Sequence, residues 1–245
     1  MSKRTVIAAA LISLAGAGPA MAQYLSNGSF EQPVIPSGTQ GTMYFGGQTL
    51  PGGWSVIAGA TEDVHLINAG ASFPFESFSH NMLARDGNQW LDLSGEGWGG
   101  FNRGVAQSFA ATPGDSLTLA FSVGNLVNGG FSYVQLKVNG NVVDTFASKG
   151  ADPADPAWTQ VWADHSVSFV AQATNVVEFI GVDGPGTTPT LNPWNNQPYF
   201  SSHWSIGLDN VSISSPSPVP EPSSYAMALV GLILMGGVAH RRRRG

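Results

Sequence analysis

Between Tyr133 and Phe146 the chain sets Asn139-Gly140 between two apolar runs, Val134-Leu136-Val138 on one side and Val142-Val143 on the other. A type I′ turn needs positive φ at both central residues, and Asn-Gly adopts that conformation at little cost. The pattern is the strongest short-range signal for a β-hairpin. A hairpin must bury one face against other elements, and the rest of the sequence offers more strands. Ser116 to Gly124 alternates, with Leu117, Leu119, Phe121 and Val123 directed to one side. Further strands are predicted at Trp54–Ile57, Val64–Asn68, Gln89–Leu93, Val105–Ala110, Ser166–Val170, Val176–Val182 and His203–Ile213. Trp54 and Trp90 lie within apolar strand patterns and are expected in the core. No segment between the two ends of the chain has an amphipathic helical period. The expected class is all-β, an antiparallel sandwich or jelly roll.

The chain has 245 residues and no cysteine, and its Gly count of 31 suits many turns between short strands. The missing cysteines exclude thiol nucleophiles, cysteine zinc sites and disulfide staples, so the domain depends on its core, a metal, or both. Charge is unevenly placed. Lys3, Arg4 and Arg241 to Arg244 lie at the ends, leaving only Arg85, Arg103, Lys137 and Lys149 in the middle. Fifteen of the sixteen acids are also in the middle, which gives that segment a formal charge of −11. Such a surface repels phosphate backbones and excludes nucleic acid as an expected partner. It suits divalent cations and neutral or cationic ligands.

Both ends read as addresses. Residues 1–22 have the parts of a cleavable signal peptide: basic Lys3 and Arg4, a short apolar run from Thr5 to Ala17, and the cleavage site Ala20-Met21-Ala22. Signal peptidase is the implied partner, with Gln23 as the mature start. Residues 214–222 form a Ser/Pro linker ending in Pro220-Glu221-Pro222, residues 223–240 are expected to form a single transmembrane helix, and residues 241–245 hold Arg241, Arg242, Arg243 and Arg244. Arginines beside a membrane span stay cytoplasmic, which places the middle domain outside. The motif, the apolar stretch and the Arg cluster, in that order, resemble the PEP-CTERM sorting signal. That resemblance implies processing by an exosortase-type membrane protease. The protein is then expected to be exported, held transiently in the inner membrane, and released to the cell surface or extracellular matrix.

Residues 23–213 remain as one domain. It opens with Asn27-Gly28-Ser29-Phe30-Glu31 and closes with Gly207-Leu208-Asp209-Asn210-Val211. Pro51-Gly52-Gly53-Trp54, Trp90-Leu91-Asp92-Leu93 and Gln107-Ser108-Phe109 fall between. In this order the pieces resemble carbohydrate-binding modules of the galactose-binding-like fold and a related plant cell-wall family. The resemblance implies a jelly-roll β-sandwich in which the opening Glu31 and closing Asp209 hold a structural calcium. Two carboxylates plus loop carbonyls suit the oxygen preference of Ca²⁺. Without a metal, Glu31 reads as a surface acid and Asp209 as a strand-end residue. Asp86 in Arg85-Asp86-Gly87-Asn88 reads as a turn residue that also offers an oxygen.

No catalytic constellation is expected. Gly114-Asp115-Ser116-Leu117 spells a hydrolase signature, but the partner Asp-x-x-His is missing: Trp162 stands three places before His165 and Phe200 before His203. Thr112-Pro113-Gly114-Asp115 reads instead as a turn. The histidines lack metal spacing. Aromatic residues in Gly-, Pro- and Asn-rich loops are the better clue, because sugar C–H faces stack on rings while amides and acids bond hydroxyls. Trp98, Trp194 and Tyr199 are the candidates for contacting an extracellular polysaccharide. The expected function is non-catalytic glycan binding by a calcium-stabilised sandwich. A structural matrix role through protein–protein contacts is the alternative.

Overall fold

The computed structural model describes residues 24–69, 83–95, 102–125, 131–148, 162–183, 190–191, 198–199, 205–215 and 231–232. The expected signal peptide, the Pro220-Glu221-Pro222 motif and the Arg cluster lie outside these residues, as does nearly all of the expected membrane segment. Among the described residues no helix is long and apolar enough to cross a membrane.

The described chain is built from strands: β1 (Gly41–Phe45), β2 (Thr49–Leu50), β3 (Trp54–Ile57), β4 (Asp63–Asn68), β5 (Gln89–Asp92), β6 (Gly104–Ala110), β7 (Ser116–Gly124), β8 (Tyr133–Val138), β9 (Asn141–Ala147), β10 (Ala163–Val170), β11 (Thr174–Val182), β12 (Thr190–Leu191), β13 (Pro198–Tyr199) and β14 (Gly207–Ser214). Two six-stranded sheets contain all but β12 and β13. Sheet A runs β1-β4-β5-β14-β7-β10 and sheet B runs β2-β3-β6-β11-β8-β9. The pairings are antiparallel, so the two-layer β-sandwich expected from the period-two pattern forms. The hairpin turns at Asn139 (φ 52°) and Gly140 (φ 77°), both left-handed as a type I′ turn requires. Pro113 and Gly114 form a second turn, closed by the bond from the Asp115 N–H to the Thr112 carbonyl, with Gly114 at φ 93°.

The core lies between the sheets. Leu117, Leu119, Phe121 and Val123 of β7 meet Val134, Leu136, Val177 and Phe179 of sheet B, all essentially inaccessible. Trp54 is fully buried among them, 5.5 Å from the Phe30 ring and 6.2 Å from Phe179. Each such large side chain contributes roughly 1.5–3 kcal/mol by leaving water.

Trp90 departs from the expectation. It is fully buried but does not belong to the inter-sheet core. Its neighbours in sequence and register, Leu91 and Leu66, point inward, so Trp90 and its partner Ile67 lie on the outer face of sheet A. A strand buried on both faces has no polar side to reveal its direction. Strand limits also shift. β10 begins at Ala163 rather than Ser166, and β14 begins at Gly207 rather than His203. β1 and β2 have no counterpart among the predicted strands.

Candidate functional site

The opening segment of the domain lies against its closing strand. Gly28 accepts a bond from the Val211 N–H through its carbonyl, at 3.0 Å. A methyl group at Gly28 would overlap the Val211 carbonyl oxygen, so only glycine allows this approach. Asn27 sits at φ 51°, with its Nδ2 donating to the carbonyls of Gln32 and Pro51 and its Oδ1 accepting the Gln32 N–H. Buried Gln107 of β6 fixes the same segment. Its Oε1 accepts the Ser26 N–H, and its Nε2 donates to the Ser26 and Gly52 carbonyls.

This arrangement brings Glu31 and Asp209 to one turn, Arg85 to Gln89. Glu31 Oε1 accepts the N–H groups of Asn88 (2.7 Å) and Gln89 (2.8 Å). Asp209 is completely buried; its Oδ2 accepts the N–H groups of Arg85 (2.7 Å) and Asp86 (3.0 Å), and its Oδ1 accepts that of Asn210 (2.6 Å). Asp86 Oδ2 accepts the Ser29 hydroxyl at 2.6 Å. Glu31 and Asp209 therefore act as two clasps on one turn, neither a free surface acid nor a plain strand end. Gly87, at φ 71°, is the point where the turn passes under the Glu31 carboxylate.

Burial pushes the Asp209 carboxyl up to about 7, against the opposing pull of its N–H donors. Nearby, Arg85 makes a two-pronged contact with Asp164, Nε to Oδ1 at 2.9 Å and Nη2 to Oδ2 at 2.7 Å. This contact, with a bond from the Ser122 hydroxyl, holds Asp164 at about 2.

The donor set is compatible with a hard cation. Glu31, Asp86 and Asp209 bring carboxylate oxygens to the turn, the kind of ligand a hard cation prefers. Among the described residues no three His, Asp or Glu side chains gather closely enough to hold a metal by themselves. Calcium there would take Glu31 and Asp209 and complete its shell with carbonyls.

The expected sugar-contacting rings are not brought together in the described residues. Trp98 and Trp194 lie outside them. Tyr199 is placed by its backbone alone, in β13 opposite Thr190 of β12. A different aromatic row stands on the outer face of sheet B. Phe131 is 46% exposed and packs 6.4 Å from the Tyr133 ring. Tyr133, Gln135 and Lys137 share the face opposite the buried Val134, Leu136 and Val138. Across the strands they meet Ala147, Thr145 and Val142 of β9 and Val182, Ile180 and Glu178 of β11. Between the rings, Ser132 is pinned: its N–H donates to Ser148 Oγ, its hydroxyl to the Ser205 carbonyl, and its own carbonyl accepts the Ser148 N–H. The alternation in β8 is a signal by which the sequence could have shown this row.

Ser116 starts β7 directly after the Pro113-Gly114 turn and is exposed. It pairs with Val170, whereas His165 pairs with Phe121 on the core side, so the two are separated along the sheet.

No protein-family profile matches this chain, and no curated protein matches it. Solved structures do align with it. A family 35 carbohydrate-binding module from Clostridium thermocellum is 12% identical, covering 73% of this chain and all of that one, with a TM-score of 0.39. TmCBM61 in complex with β-1,4-galactotriose is 14% identical over 80% of this chain and 99% of its own, with a TM-score of 0.42. A CBM4 structure is 12% identical over 78% of this chain and 99% of its own, with a TM-score of 0.39. These alignments assign the chain to no family.

Proposed function

We propose that this chain is an exported surface or matrix protein whose galactose-binding-like jelly roll binds glycan without catalysis. The observation that carries the reading is the row on sheet B. Rings at Phe131 and Tyr133 continue into Gln135, Lys137, Thr145 and Glu178, side chains able to bond hydroxyls beside a stacking surface. Trp98, Trp194 and Tyr199 are assigned the same role. Calcium between Glu31 and Asp209 would lock the turn that the two clasps hold. Signal peptidase and an exosortase-type protease would process the two ends, passing the protein from the inner membrane to the cell surface or matrix.

A glycan array probed with the intact protein tests the reading. Binding should be weak, about millimolar to sub-millimolar per site, because few atoms are buried and hydroxyls exchange water for protein. Phe131→Ala should fold and lose roughly 1–2 kcal/mol of binding, the apolar face of one ring. An array with no binding to the parent would transfer the role to a structural matrix protein.

A further inference from the structure

We propose that the outer edge of β10 is a pairing surface for a second copy of this chain, antiparallel about a twofold at Ser166. The four sheet edges differ sharply. In sheet B, β2 has two residues, and β9 carries Asp144 and a register shift opposite Leu136 and Lys137. Short strands, charges and bulges are the usual defences against edge-to-edge pairing. Sheet A lacks them. β1 offers five residues. β10 offers eight, paired to β7 from Ala163↔Val123 to Val170↔Ser116 without a shift. Among the described residues no strand pairs its other side.

The chemistry of β10 favours a copy of itself. Its only acidic or basic residue apart from His165 is Asp164, which the Arg85 guanidinium already neutralises. Two acidic molecules therefore meet here without the repulsion that the rest of the −11 surface imposes. Antiparallel pairing about Ser166 sets Ser166 opposite itself and Asp164 opposite Ser168 on the outer face. On the inner face it sets His165 opposite Val167 and Ala163 opposite Phe169. Ser166, Ser168 and Val170 are exposed, so the outer row is small and uncharged. Sheet A would continue through both copies. An interface of one strand pair lies below the size of stable complexes, so the dimer should dissociate at about micromolar concentration or above. The inference is independent of glycan binding.

The absence of cysteine makes the test direct, because an introduced thiol reports on its own position alone. Single variants Ser166→Cys, Ser168→Cys and Val142→Cys of the full chain are oxidised in mild detergent. Residues directly opposite in an antiparallel pair lie within disulfide reach. Ser166→Cys should give a linked dimer at least about ten-fold faster than either other variant. Equal rates for Ser166→Cys and Val142→Cys would overturn the pairing, and equal rates for Ser166→Cys and Ser168→Cys would overturn the twofold. Sedimentation of the cysteine-free chain provides the second measurement. The parent should show a dimer that Ser166→Lys removes while near-ultraviolet circular dichroism is unchanged. A monomeric parent, or a dimer that survives Ser166→Lys, would refute the proposal.

Discussion

Asp209→Asn removes one titrating group from the most buried of the carboxylate clasps. Its carboxyl stands at about 7 in the folded protein, because burial disfavours the charge, against about 3.9 in an unfolded chain. The folded state therefore binds this proton more tightly than the unfolded state. The associated stability is fully present below about pH 3.9 and is lost as pH rises through about 7. The gap between the two values is worth about 4 kcal/mol. For a domain of this size that equals a Tm difference of about 8–16 °C. The assay is thermal unfolding of parent and variant in chelator, at intervals from pH 4 to pH 8. The parent's stability relative to Asp209→Asn should rise steadily as pH falls. Referring every value to the variant cancels the contributions of the other acids. If the difference between the two proteins is the same at pH 4.5 and pH 7.5, the buried carboxyl is not the titrating group and the reasoning fails.

Other outcomes follow from the same geometry. Calcium should raise the Tm and chelator lower it, since an ion bound only by the folded state stabilises it by mass action; Asp209→Ala should abolish the difference. Gly28→Ala should cost more than about 3 kcal/mol because its methyl meets the Val211 carbonyl, whereas Gly38→Ala, with open space and φ 86°, should cost about 1 kcal/mol in a urea titration. Arg85→Ala should cost less than about 1 kcal/mol, because its partner contact is half exposed; that contribution is present above about pH 3.9, fades as pH falls towards 2, and should shrink in 1 M salt. Intact-mass analysis of the surface-extracted protein should end near Glu221, and retention of Arg241 to Arg244 would refute the sorting reading.

Local pattern and tertiary contact were unequally legible in the sequence. β7 and the Asn139-Gly140 hairpin could be read directly because one face of each is apolar and the turn demands its residues. The apolar rhythm of β10 starts only at Ser166 because Asp164 and His165 interrupt it; the structure explains them by contacts with Arg85 and the Ala147 carbonyl. Both are interactions with residues distant in sequence. β1 leaves no strand signal, since Gly41-Thr42-Met43-Tyr44-Phe45 has no clear polar side. That Glu31 and Asp209 both bond the turn from Arg85 to Gln89 leaves no mark in the local pattern. Their backbone partners, and the amide of Gln107 reaching Ser26, join residues more than fifty positions apart, where periodicity carries no information. Trp90 shows the converse case: its burial was legible, its side of the sheet was not.

β14 leads out of the domain toward the tail, and it is an interior strand, held by β5 on one side and β7 on the other. A tether attached beyond Ser215 pulls along that strand. The load is then shared by two ladders at once and acts in shear, so hydrogen bonds must fail together. An outer strand such as β10 would instead peel one bond at a time. The opening segment, pressed on Val211 through Gly28, adds a brace at the same point. A load applied beyond Ser215 would therefore meet more resistance at β14 than the same load applied to an outer strand.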